Sequence, residues 1–333
     1  NRSMFSLELA EAIRVRLDKK EQMVLFLNRR GHSSFVLCRY CGKVIECSNC
    51  DISMTYHRYQ EIIKCHYCGD EKHVPSTCPE CESEHIRFFG TGTQKVEEEI
   101  AKLFPEARVL RMDVDTTRKK GSHESILQQF GEGKADILLG TQMIAKGLDF
   151  PNITLVGVLS ADTTLHLADF RAAEKTFQLL TQVSGRAGRH DKKGEVVVQT
   201  YTPEHYAILF AQNHDYVSFY NQEMRLRKQF AYPPFTYVAM IQVTHEDVLM
   251  TADYAHKAAN WLKEHLSNEA EIIRPSAATI SRVQNRYPYQ CLVKYKKEPN
   301  LPEIMQQLIK IYRTEWIKKG ITLYVDLNPS SIM

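Results

Sequence analysis

Apolar residues return at helical spacing near the start of the chain: Leu7, Ala10, Ile13 and Leu17 share one face and predict a helix over residues 6–19. A continuous apolar run at 23–27 reads as a buried strand. It leads into Asn28-Arg29-Arg30-Gly31, polar groups at the carboxyl end of a strand, where open α/β sheets hold ligand-binding residues. A cysteine-rich stretch interrupts the rhythm. It resumes with a strand at 88–91 and a helix whose Val96, Ile100, Leu103 and Phe104 line one face and which stops at Pro105. Strands at 108–112, 136–140, 153–159 and 195–200 then alternate with helices at 124–130 and 172–187. Such alternation predicts an α/β fold, a parallel sheet with helices on both faces. Beyond residue 201 the pattern changes to a mostly helical stretch, a break at Tyr232-Pro233-Pro234, a strand at 236–243 and an alanine-rich helix at 251–266. A strand-rich stretch at 272–295, an amphipathic helix carrying Leu301, Ile304, Met305, Leu308 and Tyr312, and a strand at 321–327 complete it. We expect an α/β domain in two parts, 1–37 and 87–214, an insertion at 38–86, and a small C-terminal α+β domain at 215–333.

The 333 residues, 43% apolar and 25% charged, can bury a large core and suggest two or three domains. No apolar run approaches the ~20 residues that span a bilayer, and residues 1–16 form no signal-peptide pattern, so a cytoplasmic protein without a membrane partner is expected. The first residue is Asn1 rather than Met, which suggests part of something longer. A net charge of +3 does not announce a nucleic-acid binder, because phosphate binding needs clustered cations.

Eight of the nine cysteines form C-x-x-C pairs: Cys38/Cys41, Cys47/Cys50, Cys65/Cys68 and Cys78/Cys81. Such a pair brings two thiolates to one tetrahedral ion, and two pairs close a four-thiolate zinc site. A disulfide framework belongs to small secreted chains and does not suit this one. The 14 residues between Cys50 and Cys65 approach zinc-ribbon spacing, which favours Cys47, Cys50, Cys65 and Cys68 on one zinc and Cys38, Cys41, Cys78 and Cys81 on another. Sequential and crossed pairings are the alternatives, the first leaving only five residues between Cys41 and Cys47. Eight thiolates on two ions leave no open position, so both zincs are expected to be structural and His57, His66 and His73 to stay outside the ligand sets. Tyr40, Tyr56, Tyr59 and Tyr67 either stack on unpaired bases or cover the small zinc subdomains. Cys291, alone in an expected strand, reads as a buried thiol.

Two strings carry candidate chemistry. In ILLGTQMIAKGLDF (137–150) a buried strand ends in a polar turn, placing Thr141, Gln142 and Lys146 where a strand meets ligand and Gly147 where the backbone can approach closely. In QVSGRAGR (182–189) the spacing of Gln182, Arg186 and Arg189 puts all three on one helical face, where guanidinium groups suit a polyphosphate transition state. Arginines at a helix end also complement its dipole, and that is the rival reading. A weaker feature is Gly90-Thr91-Gly92-Thr93-Gln94, a strand-to-helix turn whose free N–H groups could hold a phosphate.

Together these strings resemble the primosomal N′ (replication-restart) helicase family of helicase superfamily 2. GTQMIAKGLDF, QVSGRAGR and LNRRG look like its motifs V, VI and IV, ADFRAAEKTFQLLTQ (168–182) like its lead-in to motif VI, and the eight cysteines like its inserted module. The resemblance implies a RecA-like second helicase lobe with a two-zinc insertion, ATP-driven 3′ to 5′ unwinding at abandoned forks, and loading of the replicative helicase. Arg186 and Arg189 would face the γ-phosphate across a cleft at the sheet's ligand edge, with Gly147, Asp149 and Gln182 near the nucleotide. Thr141, Gln142, Lys146, Gly92 and Thr93 would touch the backbone of forked or single-stranded DNA. No G-x-x-x-x-G-K-[S/T] is present, since Gly42-Lys43 and Gly133-Lys134 are followed by Val44 and Ala135. The resemblance therefore implies an ATP and Mg²⁺ cradle in a first lobe outside this sequence, and this chain alone is not expected to hydrolyse ATP. Asp70-Glu71-Lys72-His73 spells D-E-x-H but lies between zinc-ligand pairs and reads as coincidence. RYPYQ (286–290) and VDLNP (325–329) resemble the family's terminal domain, which implies branched-DNA contact and docking of the acidic tail of single-stranded-DNA-binding protein at Arg286 and Gln290. Other primosome proteins and the helicase loader are further implied partners, at the nucleoid. A zinc module that binds nucleic acid or protein without catalysis is the competing reading, and zinc–thiol redox sensing a third.

Overall fold

The structure is a computed structural model that describes residues 4–27, 35–38, 40–41, 43, 45–48, 54–57, 61–64, 70–89, 92–113, 116–117, 121–141, 150–165, 167, 169–185, 187–188, 193–278 and 280–332. In chain order the elements are α1 (Leu7–Asp18), β1 (Gln22–Phe26), β2 (Phe35–Cys38), β3 (Thr55–His57), β4 (Ile62–Lys64), β5 (Glu71–His73), β6 (Ile86–Phe89), α2 (Thr93–Leu103) and β7 (Val109–Met112). There follow α3 (Ser122–Gly131), β8 (Ile137–Gly140), β9 (Ile153–Val158), α4 (Asp162–Leu165), α5 (Ala172–Ser184), β10 (Glu195–Val198), α6 (Tyr206–Gln212) and α7 (Tyr216–Gln229). The last are β11 (Tyr237–His245), α8 (Val248–His265), β12 (Glu271–Ala277), β13 (Tyr287–Tyr295), α9 (Leu301–Ile311) and β14 (Thr322–Leu327). They form two compact units: residues 1–35, 88–167 and 171–221, and residues 36–87, 168–170 and 222–333.

The first unit is built on a parallel sheet in the order β10-β9-β1-β8-β7. Central β1 is buried at every position because both faces are covered, which is why its sequence is continuously apolar rather than alternating. Met23 and Leu25 face Leu9 and Ile13 of α1 and Val96 and Ile100 of α2. Val24 and Phe26 point the other way, into a core with Phe130 of α3 and Phe177, Leu180 and Val183 of α5. Each such side chain contributes about 1.5–3 kcal/mol by leaving water. Gln22, the polar residue at the head of β1, is satisfied by the carbonyls of Phe130 and Ala135 at 2.7 and 3.0 Å.

Arg108 and Asp136 lock β7 to β8 through a bidentate pair, with Nη2 to Oδ1 at 2.6 Å, Nε to Oδ2 at 3.0 Å and the Arg108 N–H to Oδ2 at 2.9 Å. Partial burial raises the Asp136 carboxyl, but the Arg108 bonds outweigh it and hold it below its ordinary value. A depressed carboxyl stabilises the fold above its unfolded value and loses that contribution as pH falls through its folded value. Asp136→Asn is therefore expected to cost about 1–2 kcal/mol near neutral pH. In urea titrations the difference from wild type should vanish under strongly acidic conditions; a cost independent of pH would contradict the charge argument.

In the second unit an antiparallel sheet, ordered β12-β13-β11-β14, is covered on one face by α8 and α9. Ala239, Ile241 and Val243 of β11 and Cys291 and Val293 of β13 pack beneath those helices, so Gln242, Gln290 and Lys294 belong to the opposite face. The inserted strands, ordered β5-β4-β3-β2-β6, enclose a small apolar cluster of Val36, Ile45, Met54 and Ile63 against which Val283 packs.

Candidate functional site

Cys38 ends β2, Cys41 follows in the turn, and Cys78 and Cys81 occupy a second turn closed by the Cys78 N–H to Ser83 carbonyl bond at 2.9 Å. The four sulfurs lie within 4.8 Å of one another, with Cys38 to Cys81 and Cys41 to Cys78 each at 3.6 Å. A tetrahedral zinc with bonds of ~2.3 Å sets its sulfurs about 3.8 Å apart, so the cluster fits that ion closely. Hydrogen bonding from the Cys41 backbone brings the Cys38 thiol down to about 6 against the opposing effect of burial. The Ser83 backbone lowers Cys81, but burial and the three neighbouring thiols outweigh it and push that group up to about 12. Four crowded thiols that resist joint ionisation are what a divalent cation relieves.

Of the other four cysteines, Cys47 is buried in the module core, 3.9 Å from Asp70 Oδ2, and Cys50, Cys65 and Cys68 lie outside the described residues. Asp70 pairs with Lys72 at 3.3 Å and leads into an exposed strand, so the D-E-x-H string sits in no nucleotide-binding setting. Tyr40 is 78% exposed between two zinc-site cysteines. Tyr59, Tyr67 and His66 are outside the described residues, as are Asn28 to Gly31 and Gly90 to Thr91. Cys291 is the buried thiol expected, 3.3 Å from the Ile273 carbonyl and pushed up to about 12 by burial.

The two strings of candidate chemistry meet the parallel sheet at different places. Thr141 follows β8 at the carboxyl edge; Gln142, Lys146, Gly147 and Asp149 lie outside the described residues. Phe150, at the far end of that string, packs edge-on against Phe130 at 5.3 Å, and Phe130 closes α3 just before β8 begins. Residues 141 and 150 thus stand at opposite edges.

The expected helix over 172–187 needs correction. α5 ends at Ser184 with Gly185 as its cap, and Gly188 adopts φ +68°, a left-handed conformation open to glycine. Gln182 is on the helix; Arg186 and Arg189 lie beyond its end and outside the described residues, so the single helical face does not hold. The Gly188 N–H donates to the Ile153 carbonyl at 3.0 Å, and Ile153 opens β9. Because β8 and β9 both run parallel to β1, this places the end of the α5 string at the amino edge, opposite Thr141, a correction to the sequence reading, which put this string at the carboxyl, ligand-holding edge. A Cβ on Gly194 would lie 2.2 Å from the Gly188 nitrogen, so the return chain also passes tightly there.

Thr93 begins α2 and is buried, its hydroxyl donating to Asp113 Oδ2 at 2.6 Å, so only backbone groups of Gly92 and Thr93 remain for a ligand. Asp113 was not singled out from sequence. The cue was the threonine three residues on, whose N–H bonds to Asp113 Oδ1 at 2.9 Å in an Asx-type turn.

In the second unit Arg286 is spent internally. Nε donates to Thr244 Oγ1 at 3.0 Å, and Nη2 reaches the Thr244 carbonyl at 2.7 Å, Thr322 Oγ1 at 3.0 Å and the Gly320 carbonyl. Gln290 is 9% exposed, and its Nε2 is buried without a partner among the described residues.

Three family models match the chain: the helicase conserved C-terminal domain over residues 80–191, the PriA DNA helicase Cys-rich region over 47–72, and the primosomal protein N C-terminal domain over 228–330. Replication restart protein PriA of Bacillus subtilis is 60% identical over 333 residues, covering 100% of this chain and 41% of the relative. The Synechocystis protein of the same name is 43% identical over 337 residues, 100% of this chain and 40% of the relative. The chain thus spans about two fifths of these relatives' length. Among solved structures, the C-terminal domain of the DEAD-box protein Dbp5 matches 68% of this chain and 93% of its own at 12% identity, with a TM-score of 0.32.

Proposed function

The chain belongs to the PriA replication-restart family, and on that premise we propose that it supplies the second motor lobe, zinc module and terminal domain of an ATP-dependent 3′ to 5′ DNA helicase that reassembles primosomes at stalled forks. Residues 1–37 and 87–214 are assigned to the lobe, 38–86 to the module and 215–333 to the terminal domain. One observation supports the motor reading most. The string 141–150 starts at the carboxyl edge of the sheet and finishes at the amino edge, where the α5 string also arrives. Thr141, Gln142 and Lys146, with backbone groups of Gly92 and Thr93, are assigned to the DNA backbone. Gly147, Asp149, Gln182, Arg186 and Arg189 are assigned to ATP, whose Mg²⁺ and phosphate cradle belongs to a first lobe. No helix among the described residues is long and apolar enough to cross a membrane, in keeping with work in the cytoplasm at the nucleoid. Purified chain is expected to show no DNA-stimulated ATPase, and protein carrying the upstream lobe to show it. ATP turnover by the chain alone would refute the assignment.

Two zincs complete the reading: Cys38, Cys41, Cys78 and Cys81 hold one, and Cys47, Cys50, Cys65 and Cys68 the other. Both lack an open position, so each braces the module and neither activates water. The helicase loader and other primosome proteins are assigned as partners. The acidic tail of single-stranded-DNA-binding protein is assigned to Arg286 and Gln290, supported by Gln290 Nε2, buried and without a partner among the described residues. Gln290→Leu is expected to weaken binding of an acidic, apolar-ended peptide about tenfold, the worth of one hydrogen bond to a charged group. Fluorescence anisotropy with unchanged affinity would remove Gln290 from the site. Arg286→Ala is the poorer test, because it also strips bonds that tie β11 to β14.

A further inference from the structure

Tyr201 lies just past the end of β10, at the carboxyl edge of the parallel sheet, and is 95% exposed. Its backbone is nevertheless held by several polar contacts. Both oxygens of the Asp162 carboxylate accept from the Tyr201 N–H at 3.1 Å, and Oδ1 also accepts from the hydroxyls of Thr200 at 2.9 Å and Thr202 at 3.2 Å. The Thr202 N–H donates to Thr200 Oγ1 at 3.1 Å, and the Ala161 N–H to the Gln199 carbonyl at 3.2 Å. The turn that leaves β9 and the turn that leaves β10 are thus tied together at Tyr201. Charge-assisted bonds of this kind fix a loop without burying the ring that the loop carries.

Single exposed apolar residues are common on protein surfaces, and place distinguishes this one. Thr141 follows β8 at the same edge, and Thr93 joins it through its bond to Asp113, the residue after β7. In the sheet order β10-β9-β1-β8-β7, Tyr201 stands three strands from Thr141, about 14 Å at the spacing of paired strands. The loop from Gln199 to His205 contains Glu204 and no lysine or arginine, and Asp162 bonds to it. Two carboxylates suit no phosphate. What the loop offers is a solvated aromatic ring on an anchored backbone, and every unpaired base has a π-face to lay on one.

We propose that Tyr201 is a base-stacking subsite for single-stranded DNA, which carries the DNA edge of this unit from β7 and β8 across to β10. The proposal rests on reading the carboxyl edge as the DNA edge. Anisotropy of the full chain with labelled oligothymidylate tests it without nucleotide. Tyr201→Ala is expected to weaken binding about tenfold, the scale of one base on one ring, and Tyr201→Phe to bind as wild type. The salt dependence of binding should keep its slope, since no phosphate contact is lost. On a strand of abasic residues wild type and Tyr201→Ala should bind equally. The indole of Tyr201→Trp should be quenched by oligothymidylate beyond the response of the wild-type chain, whose Trp261 and Trp316 both lie in the other unit. Unchanged affinity in Tyr201→Ala, or an equal loss on the abasic strand, overturns the subsite. If Thr141→Ala still weakens binding in that case, the DNA edge stands without Tyr201. If neither variant differs from wild type, or the chain binds no oligothymidylate, the edge reading fails and the subsite with it.

Discussion

Cys38→Ser is expected to lower bound zinc from about two to about one ion per chain and to unfold the inserted module while the parallel sheet stays folded. The imbalance of energies is the reason. Ordering the module costs backbone entropy at every residue. Against this the described module core offers few apolar side chains, among them Val36, Ile45, Met54 and Ile63. A structural zinc supplies an apparent ~10–16 kcal/mol at neutral pH, which makes it the largest single contribution available to so small a subdomain. Losing one of four thiolates forfeits most of that, since serine is not a comparable zinc ligand. β1 and its neighbours draw on separate cores and should be indifferent. Metal analysis alongside limited proteolysis would separate the cases. Full zinc content with a protease-resistant module would sink the four-thiolate assignment, and loss of both ions would show that the two sites fold as one.

The sequence was most legible where one local rule decided the outcome. The apolar run of β1 meant burial on both faces, and the Cys38/Cys41 and Cys78/Cys81 pairs meant converging thiolates. The end of α5 was misjudged because the apolar spacing continues to Ala187, whereas Gly185 and the left-handed Gly188 stop the helix earlier. The internal role of Arg286 was illegible because its partners Thr244, Gly320 and Thr322 are more than thirty residues away in sequence and meet it only when β11, β13 and β14 assemble. That Thr141 and the end of the α5 string stand at opposite sheet edges is likewise a property of strand direction. No motif spelling contains it.

Opposite edges give the motor reading its sharpest consequence. In protein that carries the upstream lobe, Arg186→Ala or Arg189→Ala should cut DNA-stimulated ATP turnover by about a thousandfold or more, the scale of an arginine that meets transition-state charge on a transferring phosphoryl group. Lysine should rescue either position poorly, because a point charge does not reproduce the planar fork of a guanidinium. DNA affinity in the absence of nucleotide should hardly change, since the α5 string ends at the amino edge of the sheet. Thr141→Ala, at the carboxyl edge, should show the converse: weaker DNA binding, a higher DNA concentration for half-maximal stimulation, and near-normal turnover at saturating DNA. The pair of phenotypes matters more than either alone. If arginine loss weakened DNA binding and spared turnover, or if Thr141→Ala removed turnover at saturating DNA, the division of the sheet into a nucleotide edge and a DNA edge would be wrong. That would hold even if the whole protein proved to be the helicase its family implies.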